Sequence, residues 1–174
     1  MTPDAVSPLA AFRADRARYP RNAWFWERSL WAIAVYRLGQ ALRLAPRPVR
    51  LALYPLYGVL AMLMQIVTNI EIPASTSIGP GLRIHHAGPV VVHAGSRIGS
   101  HCTMNTGVVI GNKGPHEVPM LGDRVSLGTG AQVIGAVTVG DGAGIGAMTL
   151  VIHDVPAGAI AVGVPARVLP SRSS

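Results

Sequence analysis

Aliphatic residues or methionine recur every six positions through the second half of this chain: Ile72, Ile78, Ile84; then Val92, Ile98, Met104, Ile110; then Leu121, Leu127, Val133, Val139, Ile145, Val151. All thirteen places are apolar, and seven are followed by glycine (Gly79, Gly99, Gly111, Gly122, Gly128, Gly140, Gly146). A period of six fits neither a 3.6-residue helix nor a hairpin meander, but it is compatible with the two-residue alternation of short strands. It is the mark of a parallel β-helix, in which each short strand stacks on the one a full turn later. Three hexapeptides make a triangular coil, so thirteen predict about four coils. One coil cannot bury its own apolar row and its neighbours must, which explains a core built with 5% aromatic residues.

The phase slips twice, and each slip predicts a loop leaving the prism. Between Ile84 and Val92 the spacing is eight, which inserts two residues around His86-Ala87-Gly88-Pro89. Between Ile110 and Leu121 it is eleven, which inserts five within residues 112–120. Irregular loops on a rigid scaffold are where function concentrates, and both of these carry a histidine, His86 and His116.

Charge divides the chain at the same point as the repeat. Of 15 basic residues, nine lie in residues 1–70, all arginine, against three acids (Asp4, Asp15, Glu27), while residues 71–174 carry six bases and five acids. A positive mean hydropathy with 13% charged residues excludes intrinsic disorder. The organisation read from this is a basic, apolar helical region over 1–70, a β-helix domain over 71–170 and a tail over 171–174. Residues 1–22, rich in Pro, Ala and Arg, read as a loosely ordered leader without function. From Asn22 a helix is expected with Trp31, Val35, Leu38 and Leu42 as its buried stripe, stopped by Pro46 and Pro48.

Leu51 to Ile70 is twenty residues without a charge. Its length reaches that of a membrane span, although Pro55, Gly58, Gln65, Thr68 and Asn69 dilute it. Three readings stay open: a helix buried between subunits, a helix lying in a membrane interface, and a true span. Arg43, Arg47 and Arg50 with Trp24, Trp26 and Trp31 make residues 22–70 a candidate for a membrane surface. Because these arginines accompany apolar surface and no nucleic-acid motif, nucleic acid is not expected as a partner. The lone cysteine, Cys102, allows no disulfide framework and no thiolate zinc cluster; at the fifth, usually small place of its hexapeptide it reads as packing. With no signal-peptide pattern after Met1, a cytoplasmic protein is expected, with a peripheral membrane position open to it.

The stretches Ile70-Glu-Ile-Pro-Ala-Ser-Thr-Ser-Ile-Gly-Pro-Gly-Leu-Arg-Ile-His-His86, Gly107-Val-Val-Ile-Gly-Asn112 and Asp154-Val-Pro-Ala-Gly-Ala-Ile-Ala-Val-Gly-Val-Pro-Ala-Arg167 resemble the left-handed β-helix acyltransferases of the hexapeptide-repeat superfamily, in their serine acetyltransferase-like branch. The resemblance covers about residues 70–170, and Ala34-Val-Tyr-Arg-Leu-Gly-Gln40 extends it weakly into the helices. It implies a mainly β fold, a left-handed parallel β-helix after an α-helical N-terminal region. It further implies a homotrimer with active sites between adjacent prisms, acetyl-coenzyme A as co-substrate, and no metal.

By the same resemblance His86 is the general base. A neutral imidazole near pH 7 can take a proton from an acceptor hydroxyl and return it to the leaving thiolate. His85 stands where the family has an acidic residue, and is expected to orient His86. His116 is the candidate for the family's second histidine. The remaining histidines, His93, His101 and His153, are expected at the surface. Coenzyme A is expected along Gly128-Thr129 and Gly146-Ala147, one coil apart, with Lys113 and Arg167 as phosphate contacts; small side chains let a pantetheine arm approach the backbone.

Where the family carries an Arg-His-Pro stretch that holds the amino-acid carboxylate, this chain has Glu117-Val118-Pro119. A glutamate there would repel the carboxylate of serine, so the acceptor expected is the hydroxyl of a sugar or lipid-linked saccharide, as in exopolysaccharide-type members. Serine is the alternative acceptor, and a non-catalytic trimeric scaffold is the alternative outside enzymes.

Overall fold

The computed structural model describes residues 6–114 and 117–169. Helix α1 (Pro8–Ala17) starts where Ser7 accepts a hydrogen bond from Ala10 N at 3.3 Å and Pro8 supplies a preset φ. A single 3-10 turn (Ala23–Phe25) leads to α2 (Arg28–Leu44), and α3 (Arg47–Thr68) follows after the Ala45-Pro46 corner. Pro48 falls in the first turn of α3, where its missing N–H costs nothing, while Pro55 is carried inside the helix. Asn69 ends α3 in the left-handed region (φ 54°), its N–H bonded to Gln65 O.

The chain then winds into a parallel β-helix of about four coils. Its first face stacks Ile70–Glu71, Val90–Val92, Val109–Gly111, Gln132–Ile134 and Leu150–Val151. The second stacks Ser77–Ile78, Arg97–Ile98, Met120–Leu121 and Thr138–Val139. The third stacks Arg83–His85, Thr103–Asn105, Ser126–Leu127, Gly144–Ile145 and Ile160–Val162, with Arg167–Leu169 closing it antiparallel. Register follows the hexapeptides: Ile78, Ile98, Leu121 and Val139 pair in one column, and Ile84, Met104, Leu127 and Ile145 in another. Twelve of the thirteen repeat positions are buried, and Ile72 is partly so. The small fifth places form a second inward row, in which Cys102 lies between Leu82 and Val125.

Two expectations for the helical part are corrected. Of the stretch read as a loose leader, residues 8–17 form a helix and Asp15 and Tyr19 are buried. The buried face of α2 is Ser29, Leu30, Ala32, Ile33, Tyr36, Arg37 and Gly39, while Leu38 is 43% exposed. Alpha2 is apolar on more than one side, so spacing alone does not choose its face. Contact with the open end of the first coil chooses it, because that end presents unpaired backbone groups that need hydroxyls and a guanidinium rather than leucines.

Those groups are met one by one. Tyr36 Oη donates to Thr76 O at 2.8 Å; Arg37 donates to Ile78 O at 2.9 Å and Gly79 O at 2.7 Å. Arg37 also holds Asp15 (Nε to Oδ2, 2.8 Å), and Asp15 Oδ1 accepts from Leu82 N at 2.7 Å. Arg18 reaches Gly81 O, His101 O and Cys102 O and donates to Thr103 Oγ1. The helices thus cap a sheet edge that would otherwise be a template for another strand. One hydrophobic core runs from Tyr19, Leu30 and Ile33 through the coils to Ala161.

Candidate functional site

Tyr19 and Ser29 fix the strand that carries the candidate base. The Tyr19 hydroxyl accepts from Ile84 N at 2.9 Å and donates to Ile84 O at 3.1 Å; Ser29 Oγ donates to the same carbonyl at 2.9 Å. They replace the ladder partners that a preceding coil would have supplied. Burial pushes the Tyr19 phenol above its usual range, so it stays a donor. Two residues past Ile84 the chain turns through His86, whose φ of 61° is a left-handed conformation rare outside glycine and paired here with the two-residue insertion. The imidazole is exposed, in an open cleft of about 350 Å³ lined by Trp26, Glu27, Arg28, His86 and Ala87.

His85 is half-buried, with its ring centroid 6.4 Å from that of His86. Partial burial, then the positive charge of Arg83 and the neighbouring His86, hold its pKa below 6.5, so it is neutral where an ordinary histidine begins to charge. A neutral neighbour adds no positive charge to oppose protonation of His86 during proton transfer.

Register lines up the other candidates. His85 pairs with Asn105, Thr103 with Ser126, and Ser126 with Gly144. Counting along these strands, His86, Thr106, Thr129 and Ala147 occupy one edge of the prism, each a coil beyond the last. The three steps span about 14 Å at the usual strand spacing. Gly128 and Gly146 stand just inside that edge. Glycine is required at Gly128 by the stack itself, since a Cβ there would lie 2.6 Å from Ala147 N. Arg167 pairs with Val162, beside Gly146 at the far end of the same edge, and is exposed.

Lys113 does not join this row. It sits in the second inserted loop, between the first and second faces, where Lys113 N bonds Glu117 O at 3.3 Å and Asn112 Nδ2 bonds Gly114 O at 3.0 Å. His116 lies outside the described residues. The two phase slips therefore occupy different edges of one prism, and among the described residues none of the long loop lines the His86 cleft. His101 and His153 are exposed, and His93 Nδ1 accepts from Gly95 N at 3.2 Å. Among the described residues no group of three or more His, Cys, Asp or Glu could hold a metal ion. Burial raises the Cys102 thiol to about 11, which disqualifies it as a nucleophile near neutral pH.

Sequence reasoning missed the residues that anchor the coil leading into His86: Tyr19 and Ser29 on Ile84, Asp15 on Leu82 and Arg18 on Gly81. Their contacts bridge 55 to 85 positions and leave no local pattern.

A hexapeptide prism with a histidine at one edge, small residues stacked along it and a helical cap is the framework of an acyltransferase, and the comparisons agree. A serine acetyltransferase of Helicobacter pylori strain J99 is 36% identical over 155 residues, spanning 86% of this chain and 87% of the relative. Soybean serine acetyltransferase solved with serine superposes with a TM-score of 0.78 at 30% identity, over 94% of this chain and 68% of that one. A serine acetyltransferase solved with coenzyme A gives 0.75 at 28% identity, over 94% and 68%. No protein-family model matches the chain. The chain belongs to the serine acetyltransferase family.

This overturns the expectation of a sugar or lipid-linked saccharide as acceptor, because the relatives over most of the chain are serine acetyltransferases. That expectation rested on one side chain, Glu117, whose exposed carboxylate does not outweigh a likeness over most of the chain.

Proposed function

We propose that the protein is a serine O-acetyltransferase that moves the acetyl group of acetyl-coenzyme A to the serine hydroxyl, with His86 as general base. The imidazole takes the hydroxyl proton as the oxygen attacks the thioester carbonyl. The tetrahedral intermediate collapses, the C–S bond breaks, and the thiolate receives the proton from the imidazolium. His85 is a positioning residue beside it. Thr129, Ala147 and the backbone at Gly128 and Gly146 hold the pantetheine arm, and Arg167 meets phosphate at the end of the row.

The observation that carries this reading is the common edge: His86 shares it with Gly128, Thr129, Gly146 and Ala147, four of the six residues matched to coenzyme A binding, with Arg167 at its far end. The likeness to solved serine- and coenzyme A-bound relatives supports it.

The working form proposed is a homotrimer, with His116 and Lys113 reaching a neighbour's His86 edge. Its support is that the two functional loops lie on different edges of one prism, so that a second prism must bring them together. A cytoplasmic, reducing location is supported by the one buried cysteine. Thiol release from acetyl-coenzyme A by the purified protein is expected to depend on L-serine and to saturate with it; release that ignores serine would refute the assignment.

A further inference from the structure

Helix α3 is built inside out. Of its 22 residues only Tyr57 and Thr68 are buried. The side turned to α2 and the first coil carries Tyr54, Tyr57, Ala61, Met64 and Gln65. The side turned away carries Leu56, Val59, Met62, Leu63 and Ile66, of which Leu56 is 69% and Ile66 66% exposed. Water does not stabilise an outward apolar face of this extent, so something covers it.

Charge says what. Between Glu27 and Glu71 the chain has no acidic residue and five arginines. Arg37 is buried against Asp15; Arg28, Arg43, Arg47 and Arg50 are exposed and form no ion pair among the described residues. Arg43 and Arg50 flank a cleft of about 610 Å³ whose remaining wall is Leu44, Leu51, Tyr54 and Pro55. Trp24 and Phe25 are bare on the same helical cap, with Phe25 76% exposed. A second copy docked through these same helices, face to face, would present the same arginines and no acid to meet them. A surface that is negative at its face and apolar beneath complements both features.

We infer that α2 and α3 dock the enzyme on an anionic lipid bilayer, with α3 lying in the plane of the interface and the arginines against lipid phosphates. Alpha3 is long enough to cross a bilayer, but its packing keeps it in the plane: Tyr57 is buried against Gly39 of α2, and Ala61 and Met64 line a cleft with Pro73 and Ser75, so a spanning α3 would take α2 and the first coil into hydrocarbon with it. The inference does not depend on the acceptor proposed for His86.

The test is co-sedimentation of the full chain with phosphatidylcholine vesicles with and without phosphatidylglycerol. Binding is expected only with phosphatidylglycerol and is expected to fall as salt rises from about 0.1 M to about 1 M. Arg47→Glu with Arg50→Glu is expected to weaken it at least tenfold, at about 1 kcal/mol per basic residue near the surface. Val59→Asp with Ile66→Asp, both at exposed sites, is expected to abolish it while circular dichroism and oligomeric state in solution stay unchanged. Equal binding to neutral vesicles, absence of binding, or an oligomer that dissociates on Val59→Asp with Ile66→Asp would each overturn the inference.

Discussion

Replacing Asp15 by asparagine strips one partner from a buried ion pair whose side chains are 0% and 4% exposed. In the native protein Asp15 accepts from Arg37 Nε at 2.8 Å, Arg37 Nη2 at 3.2 Å and Leu82 N at 2.7 Å. Arg37 retains Ile78 O, Gly79 O and Gln40 Oε1 after the substitution but no counter-charge. An uncompensated buried guanidinium costs about 3–5 kcal/mol. Against a total of about 5–15 kcal/mol that is a large share, and for a chain of this size it corresponds to a fall in Tm of roughly 6–20 °C. Asp15→Asn combined with Arg37→Met removes the stranded charge, so the pair of changes is expected to cost less than the sum of the singles by about 2 kcal/mol or more, measured by urea denaturation as a double-mutant cycle. A single substitution costing under about 1 kcal/mol, or strict additivity in the cycle, would refute the argument that this pair clamps the helices to the first coil.

Cys102 is expected to resist a thiol reagent at pH 8 in the native protein and to react stoichiometrically in denaturant, because its pKa lies near 11; fast native labelling would contradict its packing role. Gly128→Ala is expected to destabilise by about 1–3 kcal/mol, since its Cβ meets backbone at 2.6 Å. By contrast Gly58→Ala, with nothing within 4 Å and inside α3, is expected to stabilise by about 1 kcal/mol in thermal melts. By NMR, His85 is expected to titrate below 6.5 and to move up in Arg83→Gln. As pH falls past 6.5 the unfolded chain takes up a proton that folded His85 refuses, so this group favours unfolding on the acid side. A titration at or above 6.5 would contradict that assignment.

The β-helix was legible because its information is local and periodic: each of Ile78 to Val151 needs only to be apolar at its own hexapeptide place, and the coil below supplies the rest. The loop of His86 was legible for the complementary reason, that a break in a strict period has to leave the prism. The helical cap was not. Trp31, Val35, Leu38 and Leu42 make as good a stripe as the buried Leu30, Ala32, Ile33 and Tyr36, and only the hydrogen-bonding needs of the first coil separate them. Asp15 and Tyr19 look like surface residues of an arginine-rich leader until Leu82 and Ile84 are brought to them across 65 or more positions. Glu117 misled because a single exposed loop side chain does not decide the charge of a site built from many groups.

His86, two residues past the Ile84 that Tyr19 and Ser29 anchor, is the proposed general base for transfer to serine. Its role is tested by turnover of acetyl-coenzyme A with L-serine by His86→Ala, alongside coenzyme A affinity of the same variant. A loss of about a hundredfold or more in kcat is expected, with coenzyme A affinity and fold retained. A variant that turns over serine at the wild-type rate would contradict it.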